Sequence, residues 1–350
     1  MNSAPLRVLV TRTDHLGDVI LSIPMVDRLK SQRPNVHVTF LVSRYTAPLM
    51  PFFPQVDDVL FYDDLLAKGD AEAVKQLRDA AFDVVMLVNT HRRVSRWVKG
   101  ARIPQRIGTS RRMQHWWCCN RLIALSRKRS SLHEAQLNLQ FLAPLGIDTQ
   151  SVMPPTPSIC PHQVQQRVLR HPLAPSDRFQ LVLHPGSNQN TCEWASEHVL
   201  ALVHELATLP VTLHLTGTAK ERERFSSLGD LALPHVVNHM GKTSFDQLVA
   251  LYAQVNGYIS VGTGTLHLAA AMGVPVLGLY PLSRITGVQR WRPLGPKAAV
   301  LVSPDPCVRT KHAPLSCRCM DAITVSNVRE KVAAWVVAFQ SQTKEASCSH

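Results

Sequence analysis

Short apolar runs along this chain alternate with longer segments in which apolar positions return every three or four residues. That is the pattern of buried strands alternating with amphipathic helices. In the amino-terminal half, strands are predicted over 7–11, 36–42, 58–61 and 82–88. The second has the near-continuous apolar character of a parallel sheet. A helix opening at Asp18 and running to about residue 32 contains Pro24, which is expected to kink it. Further helices are expected over 71–80 and over 133–145, the latter ending at Gly146. In the carboxy-terminal half, strands are predicted over 180–184, 211–215, 235–238, 258–261, 276–280 and 298–303. The intervening helices span 193–209, 219–228, 244–254 and 266–272, and a terminal amphipathic helix covers about 325–339. Such alternation predicts an α/β chain with two doubly wound parallel sheets, each binding ligands at the carboxyl ends of its strands.

The stretch 153–177 is rich in proline, so a linker is placed at 156–177, with one short helix near 163–169. The domains are then 1–155 and 178–324, followed by the terminal helix and tail, 325–350. Two Rossmann-like domains facing across a cleft put the ligand site in that cleft.

Composition changes the picture in one respect. Apolar content of 45% in 350 residues, with 24 prolines and 16 glycines, is that of a soluble globular protein. A net charge of +13, however, points to an anionic partner. Much of that charge lies in 92–129, which holds 12 lysines and arginines and no acid, with Trp97, Trp116 and Trp117 among them. A solvated basic face is the plain interpretation. Basic residues beside interfacial tryptophans suit an anionic membrane surface or a phosphorylated amphiphile, and Arg92, Arg93, Arg96, Arg111, Arg112 and Trp116 are the candidates. Nucleic acid is the rival, because aromatic rings also stack on bases. The amino terminus runs straight into a strand without a signal-peptide pattern, and no apolar stretch approaches ~18 residues. Eight irregularly spaced cysteines do not form a disulfide framework, and a reduced, cytosolic chain is expected.

Candidate chemistry gathers around Gly262-Thr-Gly-Thr265, a tight turn between a strand and a short apolar helix. Glycines let a backbone approach a ligand closely, Thr265 is the expected helix N-cap, and free N–H groups at a helix start suit a diphosphate. An ordinary strand–helix turn would need the same glycines for packing alone. His267, in the first helical turn beside two threonines, favours a binding site.

Taken together, Leu16-Gly17-Asp18-Val19, His184-Pro-Gly-Ser187, Gly241-Lys-Thr-Ser244, Gly264 to Ala271 with Pro275, and Trp291-Arg-Pro293 resemble the heptosyltransferases of glycosyltransferase family 9. The resemblance spans nearly the whole chain. It implies the two-domain GT-B fold, with an acceptor-binding first domain, a nucleotide-sugar-binding second domain, and the terminal helix crossing back to the first. It further implies inverting transfer of a sugar, typically heptose from ADP-heptose or another nucleotide-diphospho-sugar, to a lipid-linked anionic glycan such as lipopolysaccharide core. The place would be the cytoplasmic face of the inner membrane, with the protein peripheral to it. No cofactor, no metal ion and no nucleic acid are implied.

By this resemblance Asp18 is the general base that takes the acceptor hydroxyl proton, a role that fits because a sugar hydroxyl is a poor nucleophile until deprotonated. A first-turn acid favourable to the helix dipole is the structural alternative. Thr263, Gly264, Thr265 and His267 match the nucleotide-sugar turn, Ser187 and the loop to Thr191 the facing phosphate loop, and Glu221 the acid that contacts the nucleoside. Arg12 is placed either near the phosphates or in solvent. Two positions depart from the family: Cys192 stands where a lysine is usual, and Gly262 where an aspartate is usual. The donor sugar therefore stays open.

Cys307, Cys317 and Cys319 with His312 lack the paired spacing of a zinc ribbon, and ordinary thiols are expected there. Cys118-Cys119 offers a position for acylation and nothing further. Two other functions remain on the sequence: nucleic-acid binding through 92–129, and a nicotinamide-dependent dehydrogenase, against which the first turn counts by lacking G-x-G-x-x-G.

Overall fold

The computed structural model describes residues 4–89, 91–187, 191–226, 231–307 and 318–348. The chain divides into two compact units, Met1–Cys160 and Pro161–His350. The division falls inside the proline-rich stretch. Its short helix, Pro161–Arg170, belongs to the second unit and packs on the helix Phe245–Gln254.

The first unit is built on strands β1 (Leu6–Thr11), β2 (Val36–Val42), β3 (Asp58–Phe61), β4 (Val84–Leu87), β5 (Gln105–Thr109) and β6 (Arg121–Ile123). They form one parallel sheet in the order β3-β2-β1-β4-β5-β6, with Val8 opposite both Val38 and Val84. The second unit repeats the plan. Strands β7 (Phe179–His184), β8 (Val211–Leu215), β9 (Val236–Asn238), β10 (Gly257–Val261), β11 (Val276–Leu282) and β12 (Ala298–Pro306) lie in the order β12-β11-β10-β7-β8-β9. In each sheet the chain reverses its direction of winding beside the first strand. The crevices outside β1 and β4, and outside β7 and β10, are therefore the places where such sheets bind ligands.

The central strands are apolar almost throughout because helices cover both faces of a parallel sheet; β4 and β10 are buried at every position. Helices differ from the sequence expectation where their caps decide. The single kinked helix predicted after Asp18 is two helices, Leu16–Ile20 and Ile23–Gln32. Pro24 lies in the first turn of the second, where its missing N–H costs no hydrogen bond. The segment 92–129, in which the sequence pattern predicts no element, continues the strand–helix alternation: helix Arg92–Gly100, β5, helix Met113–Cys118 and β6. Its Trp97 is not interfacial. The ring is buried in the core of the first unit and its Nε1 donates to Asp70 Oδ1 at 2.7 Å.

For the terminal helix, Val325–Cys348, expected to cross back to the first domain, the described contacts are with the second. Val328, Val332 and Val336 recur every four residues and join the core under β7 and β8. Phe339 meets Phe179 edge-on at 5.7 Å. Among the described residues, no helix is long and apolar enough to cross a membrane.

Candidate active site

β1 delivers its last residue, Thr11, and then Arg12 to the carboxyl edge of the first sheet. Hydrogen bonds hold this edge, among them Thr11 Oγ1 to Met86 O at 3.3 Å and Asn89 Nδ2 to Thr13 Oγ1 at 2.7 Å. The turn that follows opens the helix Leu16–Ile20, in which Asp18 is the only first-turn acid. Asp18 is partly exposed, whereas Arg12 is buried. The Arg12 guanidinium reaches Asp18 Oδ1 at 2.6 Å, Glu134 Oε1 at 3.1 Å and Asp14 Oδ1 at 3.3 Å. Its Nε also donates to the Asp18 carbonyl at 3.1 Å. Burial alone would weaken the charge on Arg12, but Asp14, Asp18 and Glu134 more than offset it and raise its pKa above the ordinary value.

Of the two places offered for Arg12 by the sequence, solvent is excluded. Its role is to anchor Asp18 from below. Glu134 is equally buried and also accepts from Arg127 Nε at 3.0 Å. This partner was not legible beforehand: it sits 122 residues from Arg12, inside a run that reads as helix start.

In the second unit the candidate donor elements lie at the carboxyl ends of β7, β8 and β10. The helix after β10 is Gly264–Ala271, and its N-cap is Thr263, whose side chain accepts from Leu266 N. Thr265, expected as the cap, lies in the first turn instead, bonded to Tyr258 Oη at 2.8 Å and Thr263 Oγ1 at 3.0 Å. Ser260 extends this hydroxyl chain, meeting Thr263 Oγ1 at 3.0 Å and donating to His184 O at 2.8 Å. His184 Nδ1 meets Thr216 Oγ1 at 3.0 Å; burial lowers the pKa of this imidazole, against the pull of Glu221 and Glu193. The result is a set of neutral polar groups beneath a helix start, with Tyr258, Ser260 and Thr216 buried and His184, Thr263 and Thr265 half-buried. His267 is buried and its ring centroid lies 6.5 Å from that of Trp291.

Glu221 is nine-tenths buried or more, which removes the alternative of an exposed helix acid. Its Oε2 accepts from Thr218 N at 2.7 Å and Thr218 Oγ1 at 2.9 Å. A Cβ on Gly186 would stand 1.8 Å from Glu221 Oε1, so a side chain there would have to displace this carboxylate. Ser187, one residue on, gives both its N–H (2.7 Å) and its hydroxyl (2.8 Å) to Glu193 Oε1. Arg224 Nη1 holds the other oxygen of Glu193 at 2.7 Å. Thr191 is buried, and its hydroxyl has no hydrogen-bond partner among the described residues. Neither Glu193 nor Arg224 stood out in the sequence.

Both departures from the family pattern have local causes. A Cβ on Gly262 would meet the Tyr280 ring at 2.8 Å, and that ring is locked by a hydrogen bond from its hydroxyl to Trp291 O. Cys192 is fully buried, turned into the core beside Cys307 and Cys319. His312 and Cys317 lie outside the described residues.

The basic candidates divide. Arg92, Arg96, Arg111 and Arg112 are exposed, while Arg93 is partly buried and pairs with Asp70 at 3.1 Å. Trp116 is 64% and Trp117 72% exposed, next to exposed Met113. Cys118 is buried, and burial with neighbouring Cys118 pushes the Cys119 thiol up to about 12, a poor nucleophile for acylation.

Two parallel six-stranded sheets of the same order, each in its own unit and with polar side chains at its carboxyl edge, are the plan of the GT-B fold. Residues 71–320 match the sequence model of glycosyltransferase family 9 (heptosyltransferase), and the chain belongs to that family. A lipopolysaccharide core heptosyltransferase (OpsX) of Haemophilus influenzae is 24% identical over 283 residues, 79% of each chain. The structure of the E. coli ADP-heptose LPS heptosyltransferase II aligns with a TM-score of 0.74 at 20% identity, covering 95% of this chain and 99% of that one. A glycosyl transferase family 9 structure from Veillonella parvula gives the same TM-score at 19% identity, with coverage of 97% and 99%.

Proposed function

We propose that this glycosyltransferase moves a heptose from ADP-heptose to a lipopolysaccharide inner-core acceptor, with inversion at the anomeric carbon and Asp18 as general base. The observation that carries this reading is Asp18 itself: a partly exposed carboxylate at the carboxyl edge of β1, held by buried Arg12, in a family of heptosyltransferases. Its carboxylate accepts the acceptor hydroxyl proton as the oxygen attacks the anomeric carbon. The bond to the diphosphate breaks on the opposite face, and ADP leaves. Backbone N–H groups at the start of the helix Gly264–Ala271, with Thr263, Thr265 and the loop from Ser187 to Thr191, receive the departing diphosphate, so the chemistry needs no metal ion there. His267 lines the same turn, and Glu221 accepts from the nucleoside.

The relatives named for heptose transfer supply the donor class, while Gly262 and Cys192 make the sugar the point to test. Purified protein is incubated with ADP-heptose and a heptose-deficient lipopolysaccharide core, and the product mass is read. A gain of one heptose is expected. UDP-, GDP- and CMP-sugars are run beside it, and transfer from one of these but not from ADP-heptose would overturn the donor assignment.

We further assign Arg92, Arg96, Arg111 and Arg112, with Trp116, to docking on an anionic membrane surface, which places the enzyme peripherally on the cytoplasmic face of the inner membrane. The exposed tryptophans beside exposed arginines favour this over a merely solvated face. Each basic residue near such a surface contributes about 1 kcal/mol, screened by salt. Replacing the four arginines by glutamine is expected to lower partitioning onto anionic vesicles at least about tenfold at low salt. Unchanged vesicle binding, or a matching loss of single-stranded DNA binding alone, would remove the assignment.

A further inference from the structure

We propose that Cys192, Cys307 and Cys319 form a thiolate site for one tetrahedral, thiophilic metal ion, zinc in the first instance. The three residues are far apart in the chain. Cys192 ends the loop after β7, and Cys307 follows β12 and donates its N–H to Leu282 O at 3.0 Å. Cys319 lies in the 3-10 turn Arg318–Met320, with its carbonyl accepting from Ser303 Oγ. Their sulfurs nevertheless converge: all three lie within 4.8 Å of one another, and Cys192 Sγ is 3.3 Å from Cys307 Sγ. Cys192 and Cys319 are buried and Cys307 is half-buried.

Geometry separates this from its alternatives. Zinc–sulfur bonds of about 2.3 Å in a tetrahedron put sulfurs about 3.8 Å apart, and that value lies between the 3.3 Å of Cys192 and Cys307 and the 4.8 Å within which all three sulfurs fall. A disulfide needs about 2.05 Å and would use only two of the three sulfurs. Thiols placed merely as small apolar fillers need carbon neighbours, not one another. Three soft donors at one point select zinc or iron over magnesium or calcium. Binding forms three sulfur–metal bonds; each thiol gives its proton to solvent and no electron moves.

The site would fasten the loop that carries Ser187 and Thr191 to the end of β12 and to the turn before the terminal helix. Trp194 already makes a similar tie, its Nε1 donating to Ile323 O at 2.8 Å. The cysteine that replaces a usual lysine at position 192 thus serves the loop's position. This metal is structural, and the proposal does not rest on the transfer reaction.

The test uses the full-length, untagged chain purified under reducing conditions. Elemental analysis is expected to find about one zinc, or one iron, per chain. Cys192→Ser and Cys319→Ser should each lose it, while Cys160→Ser, in the first unit, should keep it. Because a serine variant can fail to fold, the wild type is also loaded with cobalt, whose thiolate charge-transfer bands report sulfur ligation directly. A chelator should lower the melting temperature of the wild type and leave that of Cys192→Ser unchanged. A wild-type chain that neither retains nor takes up metal would overturn the site. So would a Cys192–Cys307 disulfide in the unreduced protein, or serine variants with undiminished metal.

Discussion

Asp18→Ala is expected to lower kcat about 10²–10⁴-fold, the range that a positioned general base contributes, while donor affinity stays within about twofold. The separation follows from where the residue sits. Asp18 belongs to the first unit, at the carboxyl edge of β1, and the elements proposed for the donor all belong to the second. Its loss removes one carboxylate from Arg12 but leaves Asp14 and Glu134 in contact with the guanidinium, so the fold is retained. Asp18→Asn keeps the shape and loses the proton acceptor, and should show the same deficit. Steady-state transfer assays with titration calorimetry of ADP separate the two effects. Wild-type turnover in either variant would take the base away from Asp18. Weakened ADP binding with kcat intact would recast it as a binding residue.

The strands were legible because a parallel sheet covered on both faces writes itself as apolar runs; β2, β3 and β8 have the bounds expected from the sequence. Legibility failed where a strand lies at the margin. β6 is short and carries exposed Arg121 and Leu122, and β5 opens with Gln105 and Arg106, so neither stands out from a basic loop. Trp97 misled for the same reason, since a core tryptophan and an interfacial one look alike beside arginines. Local chemistry was legible in type and less so in position: the hydroxyl that caps the helix after β10 is Thr263, two residues before the threonine that the pattern favoured. Motifs pointed to Asp18, Glu221 and the glycine turn. What no spacing rule reaches is the contact between distant residues, such as Arg12 with Glu134 or Cys192 with Cys307, separated by 122 and 115 positions. Those pairings are created by the order of strands in the sheet, which decides what meets at a strand's end.

Arg12→Ala should be the most destabilising single change at this site, by about 3–5 kcal/mol, the cost of stripping one partner from a buried ion pair. Arg12 and Glu134 are both almost wholly buried. Without the guanidinium, the Glu134 carboxylate loses one of the two arginines described against it, keeping Arg127, while Asp14 and Asp18 lose the cation they share. A domain of this size shifts its melting temperature by roughly 2–4 °C per kcal/mol, so a fall of roughly 6–20 °C is expected for the unit that unfolds first. Arg12→Lys should recover only part of this, because one ammonium cannot reproduce a planar fork that meets three carboxylates. The diagnostic measurement is the double variant Arg12→Met with Glu134→Gln. Removing both charges leaves no stranded carboxylate at position 134, so its stability should exceed that of Arg12→Met alone. Transfer should nonetheless stay low in the double variant, since Asp18 has lost the side chain that fixes it. If the double variant is less stable than either single change, the cluster stabilises through packing, and Arg12 does not act on Asp18 through charge.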